Sequence, residues 1–197
     1  MPIQRRRRFI LAGLAAATAG FAMPRLWTPT LAATTLPPTP ACEDDDEPTP
    51  RQTEGPFYTP RSPERAALRE AGMAGPPMLL SGIVLTRSCR PVAGALVDLW
   101  HADDSGKYDN EGYRLRGHQF TDAEGRYAFD TIVPGLYPGR TRHFHVKFQA
   151  PSQLVLTTQF YFPGEPGNDR DGIFRLDLVL TLDRPGEASF ATVLDLA

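Results

Sequence analysis

Residues 143–148 read His-Phe-His-Val-Lys-Phe and alternate strictly between polar and apolar side chains. On a β-strand, side chains at positions i and i+2 share one face, so this pattern predicts a strand with two chemically different faces. The apolar side chains of Phe144, Val146 and Phe148 are expected to point into a hydrophobic core. The two imidazoles then project together from the opposite face.

The chain from Leu79 onward repeats this organisation. Short apolar stretches are separated by turn signals about every eight to twelve residues, a spacing typical of β-sandwiches and barrels. We therefore predict an all-β fold, a β-sandwich with a short N-terminal arm and little helix. The expected strands are Leu79–Thr86, Ala93–Ala102, Arg126–Phe129, Arg142–Ala150, Val155–Phe162, Phe174–Leu182 and Ala188–Leu194.

Composition supports this fold class. Pro 20 and Gly 17 make up about 19% of 197 residues, which argues against a helical bundle. The only helix predicted is Ser62–Ala71, because Ser62 suits an N-cap, Pro63 a first turn and Gly72 a helix end. The length suffices for one domain with a full core, and 41% hydrophobic residues exclude wholesale disorder.

Residues 1–32 have the composition of a targeting segment. Four consecutive arginines at 5–8 precede an apolar run that is rich in Ala and Gly and ends at Ala22. Residues 6–10, Arg-Arg-Arg-Phe-Ile, look like a twin-arginine export signal, with a general secretory signal as the alternative. Small residues offer cleavage sites between 22 and 33. We therefore predict an exported protein, periplasmic or extracellular, without a stable membrane anchor after signal cleavage.

The remainder of the chain is acidic. Residues 1–32 hold five of the 21 basic and none of the 23 acidic residues, which leaves 16 basic against 23 acidic residues, a difference of −7. Such a chain is a poor binder of nucleic acid or anionic membranes.

Residues 33–50 are rich in Pro, Thr and acid, and we predict that they form a linker before a folded domain at 51–197. The chain contains two cysteines, Cys42 and Cys89. In an oxidising compartment a disulfide between them is favoured over two free thiols.

The histidine pair, His143 and His145, is a candidate metal site. Two imidazoles about 7 Å apart along one strand face converge on a metal ion with modest tilting. The structural alternative is a pair of surface histidines on a half-exposed strand. A nearby histidine, His101, follows an apolar strand and is predicted to be structural or to support the site, rather than to be a ligand.

Motifs of other residue types accompany this pair in a fixed order, namely Thr53-Glu54-Gly55-Pro56-Phe57-Tyr58, Gly106-Lys107-Tyr108, Tyr137-Pro138, Arg140, and Gln159-Phe160-Tyr161-Phe162. In this order and spacing the sequence resembles the intradiol ring-cleavage dioxygenases, non-haem iron(III) enzymes that include protocatechuate and catechol dioxygenases. The resemblance runs from residue 53 to about residue 163, over half of the chain.

The resemblance implies one Fe³⁺ per chain and assigns its ligands. Tyr108 and Tyr137 match the family's two tyrosinate ligands, while His143 and His145 match its two histidine ligands. These residue types suit the ion, because hard iron(III) prefers phenolate oxygen to thiolate. A strong local cation is also what keeps two tyrosines ionised.

The implied reaction is the cleavage of a catechol-type aromatic by O₂, giving a cis,cis-muconate-type product. Tyr137 is expected to leave its ligand position as the catechol arrives and to act as a base. Arg140 would stabilise negative charge on the ring, and Gln159 matches a polar residue that lines the substrate site. The resemblance is also compatible with a homo-oligomer.

Two other functions fit part of the sequence. Transthyretin-like sandwiches share the turn pattern and are often non-catalytic binding modules, here of the cell envelope. A zinc site at the histidine pair would require a carboxylate or a third histidine, and neither is near in the strand. Colour separates these hypotheses, because only an iron(III) tyrosinate protein is red-brown.

Overall fold

The computed structural model describes residues 47–197, which contain eight β-strands and two short 3-10 helices, Asn168–Arg170 and Leu176–Leu178. The strands are β1 Pro77–Thr86, β2 Leu96–Trp100, β3 Arg116–Phe120, β4 Arg126–Ile132, β5 His143–Gln149, β6 Leu156–Tyr161, β7 Thr181–Arg184 and β8 Glu187–Leu194.

The strands form two four-stranded sheets. One sheet has the order β4-β1-β8-β7 and the other the order β3-β2-β5-β6. Neighbouring strands are antiparallel except β1 and β8, which run parallel. The predicted all-β sandwich is therefore confirmed for the part of the chain that the structure describes.

The hydrophobic core lies between the two sheets. From β5, Phe144, Val146 and Phe148 point into it, and none is more than 1% exposed. Val97 and Leu99 of β2 lie opposite Phe148 and Val146 in the strand register and are fully buried. We call this side of the β3-β2-β5-β6 sheet the core face.

The opposite side of the same sheet, which we call the polar face, is also buried. His143 and His145 are only 4% and 3% exposed. Residues 49–63, the cover segment, lie over this face and are held there by bonds such as that from the Gln52 N–H to the Thr157 carbonyl at 2.8 Å. The alternative of surface histidines on a half-exposed strand is therefore wrong, because both faces of β5 are covered.

Six of the seven predicted strands are confirmed, with bounds changed by a few residues. The exception is Phe174–Leu182, where the chain forms a 3-10 helix and becomes a strand only at Thr181. On a strand, Leu176 and Leu178 would share one face. Instead Leu176 is 81% exposed whereas Leu178 is fully buried, so these residues do not form a strand. Strand β3 was missed by the sequence reasoning, because Arg116–Phe120 has no apolar alternation.

The predicted helix Ser62–Ala71 is wrong. The segment is extended, and its backbone bonds to an edge strand of each sheet, β3 and β4; the Leu68 N–H, for example, donates to the Asp130 carbonyl at 2.8 Å. The serine hydroxyl at its start donates to Asp98 instead of capping a helix. Pairing with two sheets satisfies the backbone groups that a helix would otherwise pair internally.

Several predictions concern residues outside the described part of the chain. The export signal and Cys42 lie there, so export and the Cys42–Cys89 disulfide stay predictions. Cys89 itself lies in the turn after β1, with a backbone φ of 59°. Within residues 47–197, no helix has the length and hydrophobicity needed to cross a membrane.

Candidate metal centre

Three side-chain atoms converge on the polar face. The Nε2 atoms of His143 and His145 are 3.1 Å apart, and the Tyr108 hydroxyl oxygen is 3.2 Å from His143 Nε2. Two atoms that each lie about 2.1 Å from one ion are about 3.0–3.4 Å apart at right-angled or tetrahedral geometry. The spacing therefore fits three ligands of a single metal ion.

Local contacts decide how the two imidazoles are oriented. His143 Nδ1 donates to the Thr141 carbonyl at 2.7 Å, in the tautomer that leaves a lone pair on Nε2. The Trp100 indole stacks on the His145 ring, with centroids 5.0 Å apart and planes 8° apart. Burial lowers the pKa of His143 to about 4 and that of His145 well below its ordinary value. Both rings are therefore neutral at pH 7, as metal binding requires.

The two tyrosines come from two different loops that precede the histidine strand. Tyr108 follows β2 and Tyr137 follows β4, with ring centroids 5.9 Å apart. Phe57 of the cover segment stacks on Tyr108 at 4.6 Å and meets Tyr137 edge-on at 5.3 Å. Burial raises the pKa of the Tyr108 phenol, while the guanidiniums of Arg140 and Arg116 oppose that rise. A bound cation is the added charge that would ionise it.

Glycines allow the two tyrosine loops to touch. Gly106 has a φ of 82°, and a Cβ there would collide with the Leu136 backbone. Gly135 lies equally close to the Asp104 backbone, and its N–H donates to the Asp103 carbonyl at 2.7 Å. Each glycine stands two residues before a tyrosine, so this contact fixes the two phenols relative to each other.

Arg140 lies beside the histidines in a network of hydrogen bonds. Its Nε donates to Asp171 at 2.8 Å and its Nη2 to Gln159 Oε1 at 2.7 Å. Gln159 in turn donates to a backbone carbonyl of the cover segment. Asp171 also accepts from the N–H of Thr141, whose carbonyl orients His143. One carboxylate thus positions both a cation and a histidine of the site.

The structure brings the six predicted site residues to one region. Tyr108, His143 and His145 are in mutual contact, Tyr137 lies against Tyr108, and Arg140 and Gln159 are bonded to each other. Both ring nitrogens of His101 are engaged, by the Ala102 carbonyl and the Thr131 hydroxyl, as expected of a structural or supporting histidine.

Two further basic residues near the site in sequence form ion pairs of their own. Arg142 pairs with Glu165 at 2.7 Å and Lys147 pairs with Glu54 at 2.7 Å. Each cation is therefore already balanced by a carboxylate.

Sequence reasoning missed two residues of the site, Asp171 and Arg116. Asp171 lies in a charged loop, Asn168-Asp169-Arg170-Asp171, where no pattern distinguishes one carboxylate from another. Arg116 is 1% exposed although it is charged. The sequence around Arg116 does not predict this burial, because β3 is not recognisable as a strand from sequence alone.

The donor set also limits which metals fit. Within residues 47–197, no three His, Cys, Asp or Glu side chains lie close enough to hold an ion. The further donor in contact with the histidine pair is the Tyr108 hydroxyl, and phenolate oxygen suits a hard, oxidised metal rather than a structural zinc. Fold and site together define a β-sandwich protein with a buried histidine–tyrosine centre.

Comparison with known proteins identifies the family. A family model described as a dioxygenase matches residues 53–189. The chain is 33% identical over 144 residues to catechol 1,2-dioxygenase 2 of Acinetobacter lwoffii, covering 60% of this chain and 52% of that one. It is 34% identical over 129 residues to the protocatechuate 3,4-dioxygenase beta chain of Burkholderia cepacia, covering 55% and 54%. The chain belongs to the intradiol ring-cleavage dioxygenase family.

Solved structures agree with this assignment. The dioxygenase domain of a dioxygenase carbohydrate-binding protein fusion from Streptomyces sp. SirexAA-E is 52% identical, with a TM-score of 0.74, covering 77% of this chain and 100% of that one. Hydroxyquinol 1,2-dioxygenase from Pseudomonas putida DLL-E4 is 26% identical, with a TM-score of 0.67, covering 76% and 67%. The chain spans about half the length of the curated relatives that it matches.

Proposed function

We propose that this protein uses O₂ to cleave a catechol-type ring between its two hydroxylated carbons, at one Fe³⁺ held by Tyr108, Tyr137, His143 and His145. The observation that carries the proposal is the convergence of two imidazole nitrogens and one phenol oxygen within 3.1–3.2 Å. Relatives named for catechol, hydroxyquinol and protocatechuate support the substrate class.

The reaction breaks the ring bond between the hydroxylated carbons and inserts both atoms of O₂, so the product is a cis,cis-muconate-type dicarboxylate. The chemistry that iron(III) supplies when bound is withdrawal of electron density from the catecholate, which prepares the ring for O₂. The remaining tasks fall to side chains of this chain: binding, proton removal, charge stabilisation and exclusion of water.

Proton removal is assigned to Tyr137. A catechol binds through both oxygens only when its hydroxyl protons have been taken up, and a departing phenolate oxygen accepts one of them. Tyr108 Oη is in contact with His143, whereas Tyr137 Oη has no hydrogen-bond partner among the described residues. Tyr137 is therefore the less constrained phenol and the one suited to leave.

Arg140 and the cover segment complete the site. The Arg140 guanidinium, held by Asp171 and Gln159, is a fixed positive charge beside the ligands and would stabilise negative charge on the ring. Phe57 lies against both tyrosines and keeps water from that side. Electrostatic stabilisation is strongest where water is excluded.

A non-catalytic binding module is not favoured. Burial of polar side chains costs free energy unless their partners compensate for it. The converging Nε2 atoms of His143 and His145 have no purpose in a spacer domain, whereas a metal needs them as ligands.

The direct test uses the full chain loaded with iron and a panel of catechol, hydroxyquinol and protocatechuate. We expect one O₂ consumed per ring opened and a red-brown protein, while the zinc-loaded protein is colourless and inactive. Oxygen uptake and product absorbance measure this. An iron-loaded, coloured protein that opens none of these rings would refute the proposal.

Tyr137→Phe sharpens the assignment. We expect iron to be retained, the visible band to shift and turnover to fall sharply, because three protein ligands remain but the base is lost. Full activity in this variant would show that Tyr137 is not the base.

We also propose that residues 1–32 direct export, a proposal supported by the arginine motif at 6–10 alone. Replacing Arg6 and Arg7 together by Lys should trap the precursor in the cytoplasm. Cell fractionation measures this, and normal export of the variant would contradict it.

A further inference from the structure

Arg116 is a buried cation that forms no ion pair among the described residues. It is 1% exposed, and no ion pair within residues 47–197 includes it. Its Nε and Nη2 donate to the Asp109 carbonyl at 3.0 and 2.6 Å, and its buried Nη1 has no partner among the described residues. A buried charge is costly unless it is paired, and the Asp109 and Asp98 carboxylates act on Arg116 only without a direct ion pair.

The strand register places Arg116 on the polar face. It opens β3 opposite Trp100 of β2, which in turn lies opposite His145 of β5. Cross-strand neighbours share a face, so the three side chains form one row across the sheet. The guanidinium thus belongs to the surroundings of the histidine pair and not to the core.

Arg116 acts on Tyr108 through the backbone. The carbonyl that receives both of its hydrogen bonds belongs to Asp109, the residue directly after Tyr108. Two donors from one planar group hold that carbonyl in a fixed direction. The loop that carries Tyr108 is therefore anchored at the residue directly after it.

We propose that Arg116 is a positioning residue for Tyr108: it fixes the 108–109 backbone, and its charge balances the negative phenolate that forms when the metal binds. The inference rests on the proposed function, because the phenolate exists only at a metal. The Tyr108 phenolate would then add to the negative charge that the Asp109 and Asp98 carboxylates already provide near Arg116. If Tyr137 leaves as the proposed base, Tyr108 would be the phenolate that remains beside Arg116.

The charge has a spectroscopic signature that a merely structural role lacks. A cation beside the phenolate stabilises the phenolate electrons, so electron transfer from phenolate to iron(III) absorbs at shorter wavelength. Removal of that charge should move the visible band to longer wavelength. A loss of packing alone would lower the melting temperature without moving the band.

Three variants of the full chain, loaded with iron, test this. Arg116→Gln keeps a donor for the Asp109 carbonyl and removes the charge, whereas Arg116→Lys keeps the charge and loses the two-point bond. Arg114→Gln is the matched control, because Arg114 is on the same loop but pairs at the surface with Asp103. The measurements are the visible band position, the iron affinity and the melting temperature of the metal-free protein.

We expect Arg116→Gln to shift the band to longer wavelength and to weaken iron binding by about 10–100-fold. Arg116→Lys should keep the band near its wild-type position while binding iron more weakly, and Arg114→Gln should match the wild type in both. A wild-type band and iron affinity in Arg116→Gln would overturn the inference. Equal band shifts in the Gln and Lys variants would overturn the role of the charge. A wild-type protein that binds no iron would instead overturn the proposed function.

Discussion

The two faces of the β3-β2-β5-β6 sheet are both buried around residues 143–146 but differ in what their burial achieves. On the core face, Phe144, Val146 and Phe148 pack against apolar side chains of both sheets. On the polar face, His143 and His145 alternate with them along the same strand and are covered by the cover segment. Burial by itself therefore does not tell a stabilising residue from a functional one.

The energetic difference follows from the chemistry of the side chains. Burying an aliphatic or aromatic side chain contributes about 1.5–3 kcal/mol, whereas a hydrogen bond adds only about 1 kcal/mol net. The polar face leaves Trp100 Nε1, Arg116 Nη1 and His145 Nδ1 without partners among the described residues. The polar face therefore contributes binding rather than stability, and the core face contributes the stability of the fold.

The largest loss of stability is expected on the core face. Phe144→Ala should lower the unfolding free energy of the metal-free protein by about 3–5 kcal/mol, because it removes a fully buried ring that contacts Phe162. Urea denaturation measures this. Iron bound per folded molecule should be unchanged, and a loss below about 1 kcal/mol would contradict the contrast between the faces.

The next largest effect is expected at the Arg140–Asp171 pair beside the polar face. Asp171→Asn should cost about 2–3 kcal/mol at pH 7, less than a fully buried pair because Arg140 remains partly exposed. Turnover should fall as well, because the Arg140 guanidinium and the Thr141 N–H both lose the carboxylate oxygen to which they donate. Urea denaturation and steady-state kinetics measure the two effects.

The same variant has a defined pH dependence. Burial acts to raise the pKa of the Asp171 carboxyl, but the Thr141 N–H and the Arg140 guanidinium outweigh it, so the pKa lies below its usual value. A lowered pKa stabilises the fold above about pH 4 and ceases to do so as the pH falls through the folded-state value. Wild type and Asp171→Asn should therefore become equally stable in acid. A stability difference that persists unchanged at pH 2 would refute this explanation.

His145, the residue after Phe144, is expected to affect stability less but metal content strongly. His145→Ala should cost the metal-free protein less than Phe144→Ala does, since the imidazole has an unsatisfied Nδ1. Iron affinity should fall by more than the about 10–100-fold typical of residues that only support a ligand. Metal analysis after gel filtration measures it, and full iron content would rule out His145 as a ligand.

The smallest effect is expected at the rim of the polar face. Glu54→Gln removes the carboxylate that pairs with Lys147, but Glu54 is half exposed and the Lys147 ammonium still lies 3.2 Å from the Tyr58 ring centroid. We expect a loss of at most about 1 kcal/mol, with iron content unchanged. Thermal melts at low and high salt measure it, and a larger loss would mean that the cover segment depends on this one pair.

Local sequence determined much of this protein. The period of two in residues 143–148 decides which side chains share a face, because successive residues of a strand point to opposite sides. The order of the tyrosine, arginine and histidine motifs indicated the family, and the comparisons support that family. These features need only neighbouring residues or a fixed order along the chain.

Tertiary structure alone decided what covers the polar face and what supports the site. Gln159 bonds to Thr53 across 106 positions of sequence, and Arg140 bonds to Asp171 across 31. The segment predicted as the helix Ser62–Ala71 is extended for the same reason, since the sheet edges it pairs with are distant in sequence. Local periodicity specifies the direction of a side chain, whereas its partner depends on which distant segments the fold brings together.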